Sequence, residues 1–178
     1  MSENKEIRKV IKKTIEKPVF INPIIEELYH HDLRIDHEII RQILALPRES
    51  LLTDLSRVLY DSIERFDWFS NKTEWEEATH NFILHAIFLL NELKAEELLG
   101  VLLDVLRQDE EYQSYWFNDF LTEDMWESIY TLGFHKLDEL SAFIKEPDRY
   151  CFCRTEVAVA VSQIAIHHPE RRDEVVSW

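Results

Sequence analysis

The chain has 178 residues, 46% hydrophobic and 31% charged, with a net charge of −15. That length suits one domain with a real core, and the balance excludes a disordered chain. An acidic body repels phosphate, which argues against nucleic acid as the main ligand, and no run of about 18 apolar residues is present to span a membrane.

Only two glycines occur, Gly100 and Gly133. Hairpin turns commonly use glycine at positive φ, so this scarcity disfavours an all-β fold. The expectation is one all-α domain over 1–178, with a basic N-terminal helix (1–17) and a helical-repeat body (18–178). Residues 1–17 carry +3, so the remainder carries −18. Ile7, Val10, Ile11 and Ile15 line one side of that segment and lysines the other. It reads as an amphipathic helix packing on the acidic body, with a membrane-surface helix as the sharper alternative. No apolar segment or small-residue cleavage site follows it, so no secretory signal is read, and two cysteines spaced C-x-C fit a cytoplasmic setting.

Asn22-Pro23 reads as the N-cap and first residue of a helix reaching about His31, and Asp36 caps the next. Pro47 begins a long helix. Leu51, Leu52, Leu55, Val58, Leu59, Ile63 and Phe66 form its apolar face, and Thr53, Asp54, Arg57, Asp61, Glu64 and Arg65 are expected on a solvated one. Residues 67–75 connect to ATHNFILHAIFLLNEL (78–93), apolar nearly all round and so expected at the centre. Asn81, His85 and Glu92 form its narrow polar stripe. His85 is either a satisfied core histidine or part of a concave binding face. The short Lys94-Ala95 link predicts that the helix from Glu96 to Arg107 is an antiparallel neighbour.

YWFNDFLTEDMWESIY (115–130) mixes aromatics with acids. Thr122 is the expected N-cap of a helix that Gly133 closes as the C′ residue. Met125, Trp126, Ile129 and Leu132 fall on one side and Glu123, Asp124, Glu127 and Thr131 on the other. Residues 109–135 hold seven acids and no lysine or arginine. Tyr112, Tyr115 and Trp116 beside Asp119, Glu123, Asp124 and Glu127 therefore read as an acidic-aromatic rim. Its plainer reading is a solvated face. Its functional reading is a docking surface for a basic protein or peptide, through ion pairs and cation–π contacts.

Further helices are expected over 135–145 and 154–167, with a last one from His168-Pro169. The pattern ends abruptly at Trp178, as in a shortened chain or one lacking a cap. THNFILHAIFLLNELKAEELLGVL and TEVAVAVSQIAIHHPERRDEVVSW align without gaps, Thr79 against Thr155. Thr122 to Lys145 repeats the same helix–turn–helix grammar. Pairs at this spacing predict a HEAT-like α-solenoid of antiparallel helix pairs.

From about Arg41 onward the chain resembles an uncharacterised bacterial family with HEAT-like helical repeats. The residues that carry this are HAIFLLNEL (85–93), YWFNDFLTEDMWESIY and the recurring Arg154 and Arg171-Arg172. The resemblance implies architecture and no activity. Relatives tend to have Gly where Asn118 stands, and some extend into a cysteine-rich zinc segment that this chain lacks.

Other chemistry is thinner. Cys151 and Cys153 with His167 or His168 would supply a partial metal site, or Cys153 a nucleophile whose pKa Arg149 and Arg154 depress. The plainer reading is two small residues packed in a loop. Glu77-x-x-His80 is half of a di-iron motif without its second copy. No phosphate-loop, dinucleotide, zinc-protease or serine-hydrolase motif occurs. The expectation is a protein-binding module without cofactor or metal. The alternatives are a thiol- or metal-dependent protein, or a self-associating structural domain.

Overall fold

The computed structural model describes residues 16–71 and 80–176. Most of the segment expected as a basic N-terminal helix, Glu77, Thr79 and Trp178 lie outside the described residues. Among those described, every element is helical. The first described residues, 16–22, form no regular element and lead into a 3-10 turn, Pro23–Tyr29. The helices are α1 (His37–Leu44), α2 (Arg48–Glu64), α3 (Phe66–Ser70), α4 (Phe82–Leu93), α5 (Leu99–Leu106), α6 (Glu110–Trp116), α7 (Asp119–Glu123), α8 (Met125–Gly133), α9 (Leu137–Lys145), α10 (Cys151–His167) and α11 (Arg172–Val176). Three-residue 3-10 turns, Glu96–Leu98 and Pro169–Arg171, introduce α5 and α11.

Asp36 caps α1 as expected, accepting from the Glu38 amide at 2.7 Å. The apolar sequence of α4 puts it at the centre. Phe82, Ile83, Ala86, Ile87 and Leu90 are fully buried, and α4 packs on α2 and on α8. α8 in turn packs on α10, and α9 also lies against α10. Lys94, at φ 46°, turns the chain after α4, yet α4 and α5 each pack most closely on α2 and α8 rather than on each other.

The expected solvated face of α2 is only partly so: Thr53 and Glu64 are exposed and Arg57 is half-buried. Asp54, Asp61 and Arg65 are buried because residues 16–31 lie across them. Asp54 accepts the Ile21 and Asn22 amides, both at 2.8 Å, and the Asn22 side chain at 2.9 Å. Asn22 therefore precedes its 3-10 turn without capping it by its side chain. Asp61 accepts from the Tyr29 hydroxyl at 2.9 Å and takes a two-pronged bond from Arg65, both contacts 2.5 Å. The Arg65 guanidinium also lies 4.7 Å from the Phe69 ring. Burial, then the Asp61 charge, pushes the Tyr29 phenol far above its usual range.

Two further expectations change around α8. Thr122 lies inside α7, where its hydroxyl donates to the Asp119 carbonyl, and Asp124 rather than Thr122 precedes α8. Gly133 is the last residue of α8, and no glycine among the described residues has positive φ. Its role is close packing: a Cβ there would sit 2.7 Å from Leu140 Cδ1 on α9. Positive φ falls instead on Asn118, at φ 43° and ψ −124°, between α6 and α7. Glycine adopts that conformation freely, and asparagine better than most residues.

Candidate functional site

The acidic-aromatic rim separates into two parts. Tyr112 and Trp116 are 2% and 3% exposed, so they belong to the core and not to a surface rim. They project from one face of α6 into an aromatic cluster. Trp116 meets Phe82 and Phe69 edge-on at 5.1 and 5.0 Å, and the Tyr112 hydroxyl shares a 2.5 Å hydrogen bond with Ser62. Burial raises the Tyr112 phenol well above its usual value. Tyr115 is half-buried, with its ring edge-on to Phe66 at 5.5 Å. Asp119 is exposed; on the wheel, Glu123, Asp124 and Glu127 are exposed and Met125, Ile129 and Leu132 buried as expected, whereas Trp126 and Thr131 are both half-buried.

The polar stripe of α4 also separates. Asn81 is buried at the start of the helix, where its carbonyl accepts from the His85 amide at 3.0 Å. His85 is buried too, as a core histidine, but with exposed Glu92 it lines a cleft of about 400 Å³. Its α4 wall is His85, Phe88, Leu89 and Glu92, the i, i+3, i+4, i+7 stripe of one helical face. The opposite wall is Ile40 and Leu44, one turn apart on α1, with Leu33 and Ile35 from the preceding segment. Most of the lining is therefore aliphatic or aromatic. Phe88 and Leu33 are 46% and 59% exposed, a poor arrangement for large apolar side chains unless something covers them.

His85 is the polar element of the wall. Its Nε2 lies 3.4 Å from the His31 carbonyl oxygen, within reach when that nitrogen carries the proton. Burial lowers its pKa, opposed by the His31 backbone, so the ring is neutral at pH 7. Glu92 is exposed at the margin. Exposed Asp32 acts on His85 electrostatically from the other side. Arg34 is exposed between Leu33 and Ile35, and Arg41 is paired with Glu38. Phe88 joins the cleft to the acidic tract: its ring meets Phe120 of α7 edge-on at 5.6 Å, next to Asp119. Sequence reading found His85 and Glu92 but missed the apolar lining. Leu33 and Ile35 sit in a segment without helical period, and Phe88 looked like one more core residue.

The structure does not bring the candidate thiol and metal ligands together. Cys151 and Cys153 open α10 rather than occupying a loop. His167 ends the same helix, about 24 Å away at 1.5 Å per residue. His168 instead meets the Tyr130 hydroxyl at 3.1 Å. Burial, reinforced by Cys151, pushes the Cys153 thiol up to about 12, opposite to the expected depression. Arg149 and Arg154 are engaged elsewhere, donating to the Arg107 and Arg149 carbonyls. Among the described residues no group of three or more His, Cys, Asp or Glu is placed to hold a metal, and no helix is long and apolar enough to cross a membrane.

No protein-family model matches this chain, and no curated protein and no solved structure matches it either.

Proposed function

We propose that this chain is a non-enzymatic, HEAT-like helical-repeat module that binds a protein partner. The partner presents a basic amphipathic segment to the cleft between α1 and α4. The observation that carries this is the exposed apolar lining: Leu33 and Phe88 stand open on a cleft large enough for several side chains. A helix docks in such a groove through side chains spaced i, i+3, i+4 and i+7. The chain's net charge of −15 selects basic partners, and Glu92 at the margin with Asp119 beyond Phe120 supplies the local sign.

Two features support the repeat reading, and with it the proposed kinship to the uncharacterised bacterial HEAT-like family. In α4–α5 and in α10–α11 alike a 3-10 turn introduces the second helix, although α11 packs on α10 whereas α5 packs on α2 and α8 rather than on α4. The first helices of the three expected pairs, α4, α8 and α10, pack in chain order.

A pull-down from lysate of the cells that make the protein tests the function, at low and high salt. One comparison protein carries Leu44→Glu. The other carries Asp119→Asn, Glu123→Gln, Asp124→Asn and Glu127→Gln together. The expected result is a basic protein retained by the unaltered chain, lost with Leu44→Glu and weakened by salt and by the neutralised variant. Retention indifferent to Leu44→Glu would place binding elsewhere and sink the cleft.

A further inference from the structure

The open lining of the α1–α4 cleft has a candidate cover in this chain's own sequence. Residues 1–15, outside the described residues, carry Ile7, Val10, Ile11 and Ile15, with five bases against two acids. We propose that this segment docks in the cleft of its own chain, so that a partner must displace it to bind. The inference rests on the reading of the cleft as a docking groove and adds how that groove is regulated.

The first described residues put the end of the segment beside the cleft. Lys17 pairs with Glu26, and its ammonium lies 4.5 Å from the centre of the Tyr29 ring. Tyr29 stacks on Phe82 at 4.3 Å. Phe82 stands on α4 one turn before His85, the first residue of the cleft's α4 wall. Two residues after Tyr29, the His31 carbonyl meets the His85 ring, and the chain runs on to Leu33 and Ile35 of the opposite wall. The anchor at Lys17 is thus about one helical turn, roughly 5 Å along α4, from the near end of the groove. Ile11 is six residues before Lys17, a reach of up to about 20 Å when extended. The tether is longer than the gap.

Size and charge agree with the same occupant. Ile7 to Ile15 spans about 12 Å as a helix, against about 10 Å from His85 to Glu92 on the wall. Ile7, Val10 and Ile11 fall at i, i+3 and i+4, the spacing with which a helix enters an apolar groove. Residues 26–38, which lead from the anchor into α1, hold five acids and one arginine. That arginine, Arg34, opposes a basic occupant, but exposed Asp32 and Asp36 stand on either side of it in the chain. An acidic body repels an anionic lipid surface, which favours the groove over a membrane for this segment. A second copy of the chain offers the same residues, but tethering gives the chain's own copy an effective concentration on the order of millimolar.

The test is paramagnetic broadening in the full chain, with a nitroxide on Ser2→Cys in a Cys151→Ser background. Cys153 is buried and escapes labelling. Expected is strong broadening of the Leu44, Phe88 and Leu89 resonances, lost when Val10→Asp and Ile11→Asp are added together. Spin-labelled protein mixed with isotope-enriched protein that lacks the label should leave the latter unbroadened. A helical lysine–leucine 15-mer should bind the Val10→Asp, Ile11→Asp chain about tenfold more tightly than the unaltered chain, because it no longer competes with the tethered segment. No broadening, or equal binding of the 15-mer by both chains, would overturn the self-docking. Shifts of Phe88 and Leu89 with the 15-mer would in that case leave the groove standing, whereas no binding of the 15-mer to either chain would remove the groove as well. Broadening between molecules would assign the segment to a second copy. Capture of the unaltered chain on phosphatidylserine–phosphatidylcholine vesicles, without broadening, would assign it to a membrane surface. Either would overturn the proposal.

Discussion

The N-terminal and C-terminal halves of this protein bury their polar residues in different ways. Around α2 three charged side chains are enclosed and fully engaged: Asp54 holds the chain at Ile21 and Asn22, and Asp61 joins Arg65 to Tyr29. Around α8 and α10 the interior is Met125, Ile129, Leu132, Val157, Ala160 and Ile164, and the one buried charged residue, Glu156, has an unpartnered oxygen. The first half specifies how an irregular stretch lies over a helix. The second half needs no such device, because regular helices pack on one another directly. Polar groups fix register where periodicity cannot.

The largest expected effect breaks the first half. Asp61→Ala leaves Arg65 and the Tyr29 hydroxyl buried without their partner, and should cost about 3–5 kcal/mol in denaturant unfolding. Replacing both members together, Asp61→Leu with Arg65→Met, should cost clearly less, because no charge is then stranded. If the pair costs as much as the single change, the ion pair itself is the stabilising element and the register argument weakens.

The C-terminal half breaks by crowding instead. Gly133→Ala drives a methyl group against Leu140, and should cost about 1–3 kcal/mol. Leu140→Val in the same chain should recover part of it. A neutral Gly133→Ala would mean that α8 and α9 have room to separate.

Glu156 distinguishes the halves by pH. Burial raises its folded-state pKa above the ordinary 4.5, so the fold favours its neutral form. The folded state then binds more protons than the unfolded one in that window. Its contribution is full below pH 4.5 and is lost as pH rises through the folded value. Glu156→Gln should therefore flatten the fall in stability above pH 4.5, read as Tm against pH. An unchanged profile would show that Glu156 is solvated.

The smallest effect is local. Asn118→Gly removes strain at φ 43° and should raise stability by about 1 kcal/mol. A loss would mean that the asparagine side chain holds the corner between α6 and α7.

The sequence made some of this legible. The 3.6-residue period located the longer helices but not the short α3, α6 and α7, the first of which was read as part of a connector over 67–75; it identified α4 as central and sorted Met125, Ile129 and Leu132 from Glu123, Asp124 and Glu127. It failed where a non-periodic segment covers a periodic one. Asp54 and Asp61 looked solvated because nothing in their own helix reveals the chain laid across them. Tyr112 and Trp116 looked exposed because they stand among acids, yet they share a face that the acids do not. Gly133 followed a turn rule while its actual constraint is a side chain on the next helix. The cleft was half visible: His85 and Glu92 interrupt an apolar run, whereas Leu33 and Ile35 carry no pattern.

The central claim is that the α1–α4 cleft docks a basic amphipathic segment. Its most direct test is selection of a displayed random helical 15-mer library on the protein, counter-selected on Leu44→Glu. The expected winners are basic, carry apolar residues at i, i+3 or i+4 and i+7, and shift the resonances of Leu44, Phe88 and Leu89. No enrichment over Leu44→Glu, or winners that are acidic or bind away from those residues, would contradict it.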